Sequence, residues 1–314
     1  MNPHSLLVIG ELCADIVVEL DEPPRFDQHE HVVPNTTITM GSSSAITACG
    51  TAALGVPTTF VGVAGDDMLG RFVLDRLRER GVDIEPSHID STHPTGSSTI
   101  LTLPGGDRSI LTALGSIGLV SIDHVPGRRI ADAAHVHVGS YFLQYALHDG
   151  SLAELFGDCR DNGKTTSLDP NFDPSENWSS GIEAVLPHTD VFFCSQHEAR
   201  RLSGNASDAE AVDWFAARLP PTAVLVLKAG AAGATAYRGA DVIATATPVD
   251  DGRRLVDTVG AGDSLAAGFL AAHLRQRPTS ECLELGVLNG TASTRAAGGI
   301  AGQLNQMQVQ GLLA

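Results

Sequence analysis

The segment 257–270, DTVGAGDSLAAGFL, places a carboxylate where a loop of small residues enters an apolar helix. Gly260, Ala261 and Gly262 add almost no side chain, so main-chain N–H groups there can approach a ligand closely. The N-terminal end of the following helix adds positive potential. The loop is therefore predicted to bind an anion such as a phosphate.

Asp263 is unexpected beside a phosphate, because two negative charges at short range repel each other. Its charge suits a general base that takes a proton from an alcohol while the loop amides stabilise a transferred phosphoryl group. The spacing therefore predicts phosphorylation of an alcohol. The alternative is an ordinary helix N-cap, for which Asp is also favoured.

The same segment resembles the C-terminal signature of the ribokinase-like (PfkB) sugar kinase family, in which this Asp is the catalytic base. Further resemblances follow in the family's order, at 41–55 (GSSSAITACGTAALG), 61–70 (VGVAGDDMLG), 167–172 (SLDPNF) and 190–204 (DVFFCSQHEARRLSG), and span nearly all 314 residues. The resemblance implies an α/β fold of the ribokinase-like type, a three-layer sandwich with a central mostly parallel sheet and a small β-sheet lid. It also implies ATP and Mg²⁺ as cofactors.

Composition argues against several classes of protein. With a net charge of −17 and only two lysines, Lys164 and Lys228, the chain does not match a protein that coats nucleic acid or an anionic membrane. Its five cysteines are never in a CxxC pair and suggest neither a disulfide framework nor a zinc site. The start lacks a basic region before an apolar stretch, and no apolar run nears the roughly 18 residues that span a bilayer. We expect a cytoplasmic protein.

The order of sequence patterns predicts the architecture. Strand and helix patterns alternate from 58 to 275, which favours a central, mostly parallel sheet flanked by helices in one domain over 1–314. Segments rich in β-branched residues outside this alternation predict a small second sheet. They are 16–20, 31–40, 97–103 and 108–113, the last two joined by a Gly105–Gly106 turn. As insertions at about 12–40 and 95–113, they correspond to the lid of the resembled family.

The acceptor is expected to bind where the first strands end. Asp15 follows the buried run SLLVIG, and the carboxyl ends of strands carry ligand contacts in open α/β sheets. A solvated turn Asp is the alternative. In the resembled family this Asp and a GG-x-x-x-N loop contact the sugar. That loop corresponds here to Gly41, Ser42 and Ser43, with Ile46 in place of the Asn; a tightly packed helix start is the alternative.

Asn171, in SLDPNF, matches a strand-end DxN element of the family and is predicted to contact the substrate side of the site. Asp173 stands where the family often has an Arg. A phosphate contact from that position is therefore not expected.

The nucleotide side is assigned from the resemblance. Glu198 matches the Glu of an N-x-x-E element that holds Mg²⁺ through water, and Ser195 replaces its Asn. Lys228 and Gly230 lie in a Lys-x-Gly turn that corresponds to phosphate and ribose contacts, and Asn289 stands where the family packs adenine. Without the resemblance, Glu198 is a first-turn Glu favoured by the helix dipole and Lys228 a surface lysine.

Two other patterns carry no predicted function. GDCRDNGKT, at 157–165, has five spacer residues where a Walker A loop needs four, and a strand follows rather than precedes it. His135 and His137 alternate with Val on a predicted strand and therefore share one face. Without a carboxylate at ligand spacing they are predicted to be hydrogen-bonded strand histidines, a metal pair being the alternative.

Three functional hypotheses remain. The first is an ATP-dependent sugar kinase. The second is a nucleoside kinase, which needs a shelf for the base, with Tyr141 and Phe142 as candidates; a keto-deoxy sugar acid would instead require Arg108 for its carboxylate. The third is a sugar-binding family member with weakened catalysis, motivated by departures such as Ile46 and Ser195.

The resemblance also implies two finer features. One is a monovalent cation such as K⁺, held largely by carbonyl oxygens between the loop at Asp257 and the segment near 297–302. The other is a homodimer formed through the lid. The remaining expected partners are a small-molecule sugar and ATP, without nucleic acid or membrane.

Overall fold

Strands and helices alternate along most of the chain, of which the computed structural model describes residues 4–105, 107–249 and 252–313. The strands are β1 (Leu6–Ile9), β2 (Cys13–Glu19), β3 (Asn35–Met40), β4 (Thr58–Val61), β5 (Val63–Gly65), β6 (His88–Asp90), β7 (Gly96–Thr102), β8 (Arg108–Ala113), β9 (His135–Gly139), β10 (Thr165–Asp169), β11 (Val191–Ser195), β12 (Val224–Lys228), β13 (Ala234–Arg238) and β14 (Asp241–Ala246). The helices are α1 (Ser43–Ala53), α2 (Met68–Glu79), α3 (Gly127–Asp132), α4 (Ser151–Asp161), α5 (Ile182–Val185), α6 (Gln196–Ser203), α7 (Asp208–Ala216), α8 (Ala261–His273), α9 (Thr279–Ser293) and α10 (Gln310–Leu313). Within the described residues, no helix combines the length and apolar character needed to cross a membrane.

Eight strands form one sheet in the order β14-β13-β12-β11-β10-β9-β1-β4. Neighbours from β12 to β4 run parallel, whereas β13 and β14 are antiparallel additions at one edge. The parallel strands are short apolar runs, such as LLVI in β1 and VFFCS in β11, because both faces of the sheet are covered. The predicted central, mostly parallel sheet is confirmed.

The two faces of this sheet belong to separate apolar cores, which makes three layers. One core joins Val8 of β1 to Phe269 of α8, and the other contains Leu7, the neighbour of Val8 on the opposite face. Helices α8 and α9 lie so close that a Cβ on Gly268 would come within 2.6 Å of the Leu285 carbonyl oxygen. This packing holds in place the helix that begins with the predicted phosphate loop.

A separate four-stranded sheet has the order β3-β2-β7-β8, as predicted from the β-branched segments. Every residue of β8 is exposed. The strand predicted over 31–40 begins only at Asn35, because Pro34 has no N–H for a sheet hydrogen bond. Of the predicted Gly105–Gly106 turn, Gly106 lies outside the described residues.

Candidate active site

Two cavities meet at Asp263. The first, of about 340 Å³, lies between the four-stranded sheet and the carboxyl ends of β1, β9 and β10. The second, of about 730 Å³, lies between the turn after β12 and helix α9. Six residues line both cavities: Arg108, Asn171, Glu198, Thr258, Gly260 and Asp263. A group bound in one cavity is therefore adjacent to a group bound in the other.

The loop before α8 has the geometry of an anion site. Gly260 is the N-cap with φ 71, and a Cβ there would come within 2.7 Å of the Gly299 Cα, so only glycine fits. The first main-chain bond of the helix runs from Ser264 N to Gly260 O at 2.8 Å. Among the described residues, the amides of Gly262 and Asp263 have no acceptor. These donors at the positive end of a 13-residue helix suit a phosphate.

Asp263 is the carboxylate at this helix start. Its Oδ1 accepts a hydrogen bond from the Ser43 hydroxyl, and its carbonyl accepts one from Thr47 at 3.2 Å. Burial raises the pKa of Asp263, while the charge of Lys228 and the Ser43 hydrogen bond oppose the increase. The carboxylate is thus oriented, partly desolvated and more basic than usual, as a general base requires.

Asp15, on β2, lies in the wall of the first cavity. Gly41 passes so close that a Cβ on it would lie 2.3 Å from Asp15 Oδ1, which accounts for glycine at this position. Burial, followed by the charges of Asp257 and Asp263, raises the pKa of Asp15 to about 7, and Arg108 opposes this.

Ser42 and Ser43 line the first cavity at the start of α1. The Ser42 hydroxyl is already engaged, since it accepts from Ala45 N at 3.0 Å and donates to the Glu11 carbonyl at 2.5 Å. It therefore acts as the cap of α1, at φ 68. Ile46 reaches below the loop, where its Cδ1 would lie 3.0 Å from a Cβ on Gly260.

Glu11 is a cavity residue that sequence analysis did not assign. It is 2% exposed, and its carboxylate accepts a hydrogen bond from Ser44 Oγ at 2.6 Å. Burial raises its pKa, against hydrogen bonds from Ser44 and Ser140. The available signal was its position, directly after the glycine that ends a buried strand.

The face of the four-stranded sheet that lines the first cavity changes from polar to apolar along its strands. Ser98 and Thr112 pair across β7 and β8 next to Asp15, and the next inward-facing pair is Ile100 and Ile110. Apolar lining continues around the cavity with Cys13, Ile46, Ile117 and Leu143. Arg108, at the start of β8, extends over both cavities.

The second cavity contains the predicted nucleotide residues Lys228, Gly230 and Ser195. Lys228 Nζ lies 2.6 Å from Asp169 Oδ2, and both side chains are almost fully buried. Burial alone would lower the pKa of Lys228, but the carboxylates of Asp169 and Glu198 outweigh it and raise that pKa. Lys228 is therefore a charged, anchored lysine rather than a flexible surface residue. Sequence analysis missed its partner Asp169.

Glu198 and Ser195 form a capping box at the start of α6. Glu198 N donates to Ser195 Oγ at 3.2 Å, and Ser195 N donates to Glu198 Oε2 at 2.6 Å. Glu198 nevertheless lines both cavities, with Oε1 free of any hydrogen bond among the described residues.

Asn171 stands at the junction of the cavities with φ 55, and its side-chain amide donates to Ser140 Oγ at 2.9 Å. Asp173, two residues on, is buried and accepts from the main chains of Ser175 at 2.9 Å and Trp178 at 2.6 Å. It shapes the loop, which accounts for an acid at this position.

Asn289 does not belong to the site. It is fully buried, donates to the Ser264 carbonyl at 2.7 Å and accepts from Leu304 N at 2.8 Å. Three other residues of α9, before and after it in the sequence, line the second cavity, namely Val287, Gly290 and Thr291. Asn289 thus joins α9 to α8 and to the C-terminal segment.

The two aromatic residues considered as a shelf for a nucleoside base also lie outside the linings of both cavities. Tyr141 and Phe142 are each 1% exposed and pack in the core. The aromatic residue that lines the first cavity is Phe172, which is half exposed.

The two strand histidines are buried, and Ser167 Oγ lies 2.7 Å from a nitrogen of each, His135 Nε2 and His137 Nδ1. Within the described residues no group of three or more His, Cys, Asp or Glu is arranged to hold a metal ion.

The Asp257 loop is tied to the segment that contributes to the predicted cation site. Asp257 Oδ2 accepts from Gly298 N and Oδ1 from Val259 N, both at 2.9 Å. Val256 N donates to the Thr294 carbonyl at 2.9 Å. These bonds hold the two segments side by side.

A helix-start anion loop with its own carboxylate, at the junction of two cavities and beneath a small sheet, defines a phosphotransferase site for an alcohol. The chain belongs to the pfkB family of carbohydrate kinases, whose model matches residues 3–306.

Relatives and solved structures agree with this family. The chain is 27% identical over 286 residues to a nucleoside kinase from Methanothermobacter thermautotrophicus, with 89% of this chain and 85% of that protein covered. Its fold is similar to that of Arabidopsis thaliana ribokinase complexed with ribose and ATP, with a TM-score of 0.82, 22% identity and 98% of each chain covered. It is equally similar to an E. coli protein assigned as a ribokinase II, solved with ATP and Mg²⁺, with a TM-score of 0.83, 23% identity and 98% of each chain covered.

Proposed function

We propose that the protein transfers the γ-phosphoryl group of ATP to a hydroxyl of a sugar or sugar-like alcohol. The observation that carries the proposal is the position of Asp263, between two cavities and beside main-chain amides that have no acceptor in the described part of the chain. The first cavity receives the alcohol and the second the nucleotide. Asp263 accepts the hydroxyl proton, and the amides of Gly262 and Asp263 stabilise charge on the phosphoryl oxygens.

Lys228 and Glu198 bind the phosphate end of the nucleotide in this proposal. The ammonium of Lys228 lies in the wall of the second cavity and offsets phosphate charge. Glu198 has one carboxylate oxygen fixed by Ser195, while the other, which no described residue contacts by a hydrogen bond, can accept from a metal-bound water. One carboxylate with substrate phosphates and waters is a set that suits Mg²⁺. Held by Glu198 in this way, Mg²⁺ would offset the negative charge of the nucleotide phosphates.

The acceptor is proposed to be neutral. Four carboxylates, Glu11, Asp15, Glu198 and Asp263, line the first cavity. They would repel a sugar acid or sugar phosphate unless Arg108 neutralised it. The apolar pair Ile100 and Ile110 favours an acceptor with an apolar part, which makes a nucleoside the second candidate.

The test is ATP-dependent phosphorylation of ribose, fructose, keto-deoxygluconate and adenosine by the purified protein, with product identified by mass spectrometry. We expect ribose, fructose or adenosine to exceed the sugar acid in kcat/KM by at least about tenfold. Tight sugar binding without phosphorylated product would instead support the sugar-binding hypothesis and refute the kinase.

Three finer assignments belong to this proposal. We propose a monovalent cation site beside the segments around Asp257 and Gly298, which a hydrogen bond joins. A homodimer is proposed through the four-stranded sheet. A cytoplasmic location is supported by five free, buried cysteines, which fit a reducing compartment.

A further inference from the structure

A row of four polar side chains, here called the file, lies on one face of the central sheet. The reaction proposed above does not use these side chains. His135 pairs with Thr165, and His137 with Ser167, across β9 and β10, so all four side chains share a face. His135 Nδ1 lies 2.6 Å from Thr165 Oγ1, and its Nε2 lies 2.7 Å from Ser167 Oγ. Ser167 Oγ is also 2.7 Å from His137 Nδ1. The four side chains thus form a continuous hydrogen-bonded series.

The hydrogen bonding of the file is incomplete at its His137 end. His137 Nε2 is buried and, among the described residues, has no hydrogen-bond partner. Buried polar atoms in native proteins nearly always have a partner, either a protein group or an ordered water. Two positions beyond Ser167 on the same face is Asp169, which holds Lys228 Nζ at 2.6 Å. The free nitrogen therefore lies on the face that carries the buried ion pair.

The protons of the file can be assigned from its contacts. Burial, and then the charge of Lys228, lowers the pKa of His137 to about 3, so the ring is neutral and carries one N–H. The positive potential of Lys228 favours a lone pair on Nε2, which leaves the proton on Nδ1 to donate to Ser167. Ser167 then donates its single proton to His135 Nε2, and His135 Nδ1–H donates to Thr165. Only His137 Nε2 is left as an acceptor.

We propose that His137 is a positioning residue, whose Nε2 accepts a hydrogen bond from Lys228 through one bridging water. Together with Asp169, the file then holds the ammonium beside the phosphate loop. Lys228 Nζ lies only 3.3 Å from the point where a Cβ on Gly262 would stand, so small movements of the ammonium alter the loop's phosphate site. The catalytic meaning of this contact rests on the proposed function, whereas the contact itself does not.

The contact is tested by imidazole ¹⁵N NMR of the full-length protein. We expect His137 in the Nδ1–H tautomer, with the Nε2 resonance of a hydrogen-bonded acceptor. Lys228→Met should shift that resonance towards the value of a free acceptor and leave His135 in its tautomer. An Nε2–H tautomer, or an Nε2 resonance unchanged in Lys228→Met, would overturn the proposal. This readout needs neither an acceptor nor turnover, so it stands apart from the outcome of the phosphorylation test.

The positioning role is tested by the affinity for ATP, measured by calorimetry for His137→Phe, Lys228→Met and the double variant. We expect His137→Phe to weaken ATP binding about tenfold in the wild-type background and to have no further effect in Lys228→Met. Equal, additive losses in both backgrounds would mean a merely structural role and refute the proposal.

Two matched variants distinguish the loss of the hydrogen bond at Nε2 from a change in side-chain packing. His137→Gln places an amide near the position of Nε2 and is expected to restore ATP affinity to within about threefold of the wild type. His273→Phe alters a ring that packs 5.8 Å from the His135 ring centroid without a hydrogen bond to the file. It should leave ATP affinity unchanged. A loss in His273→Phe equal to that in His137→Phe, or no recovery in His137→Gln, would contradict the proposal.

Discussion

The hydroxyl of Ser43 donates a hydrogen bond to Asp263 Oδ1, which joins the first residue of α1 to the first turn of α8. Two helix N-termini thus converge on one carboxylate. The hydrogen bond orients the carboxylate and, together with the charge of Lys228, opposes the rise in the pKa of Asp263 that burial causes. Asp263 can therefore remain ionised while it lies partly out of water, as the proposed base must.

Asp263→Asn should abolish phosphoryl transfer while binding persists. A general base acts mainly in the transition state, so we expect kcat to fall by several powers of ten. The affinities for ATP and acceptor should stay within a few-fold, with ATP bound slightly more tightly because repulsion of phosphate is relieved. Rapid-quench kinetics and calorimetry measure the two effects. Asp241→Asn, which changes an exposed acid on β14, is the control and should keep full activity. Turnover in Asp263→Asn near that of the control would remove the base from the proposal.

Asp15→Asn should stabilise the unliganded protein at alkaline pH and weaken acceptor binding. The pKa of Asp15 is about 7 when folded, against roughly 3.9 unfolded. The folded state therefore binds the extra proton between these values, and stability falls as pH rises from about 4 to 7. We expect Asn to add stability on the order of a few kcal/mol at pH 8 and none near pH 4. Denaturant titrations of both proteins at the two pH values measure the difference; a gain that is independent of pH would contradict the assigned cause.

Gly262→Ala should raise KM for ATP without unfolding the protein. The added Cβ would lie 3.3 Å from Lys228 Nζ, a side-chain end that can shift by a few tenths of an ångström. The ammonium then leaves its place beside the phosphate loop, and we expect kcat/KM for ATP to drop about tenfold. KM for the acceptor should be unaffected. Gly127→Ala, where a Cβ meets nothing within 4 Å, is the matched control. Equal kcat/KM values in the two variants would show that Lys228 has no part in nucleotide binding.

Contiguous features of the site were predictable from the sequence. The loop at Gly260 and the carboxylate of Asp263 are neighbours in the chain, and the start of α8 holds them together wherever the helix lies. The central, mostly parallel sheet likewise follows from the alternation of strands and helices. Asp15 is a different case: it lies within β2 of the four-stranded sheet, and the acid directly after the glycine that follows β1 is Glu11.

Relationships between distant segments were not predictable. Asp169 and Lys228 are 59 residues apart, and their pairing depends on β10, β11 and β12 lying side by side. Asn289 was wrongly placed because a helical residue turns by about 100° per position. At position 289 the side chain faces α8, whereas Gly290 and Thr291 face the cavity. A pattern match identifies the helix and leaves its rotation undetermined.

The outer face of the four-stranded sheet carries a mostly apolar row, which is the surface that the proposed homodimer would use. Ile38, Ile16, Thr99 and Leu111 follow one another across β3, β2, β7 and β8, and Ile38 and Leu111 are 44% and 58% exposed. Because these residues alternate with those facing the first cavity, a partner on this face would steady the sheet over the acceptor.

Leu111→Glu should therefore convert a dimer into a monomer and weaken acceptor binding. A charged side chain in the middle of an apolar contact loses its hydration without gaining an ionic partner. The resulting loss of association free energy should exceed what a dimer of this kind tolerates. Sedimentation velocity reports the mass, and we expect KM for the acceptor to rise while KM for ATP stays constant. Val242→Glu, on an equally exposed apolar residue of β14, is the control and should remain dimeric. A wild-type protein that sediments as a monomer, or a Leu111→Glu variant that stays dimeric, would place the acceptor lid outside any interface.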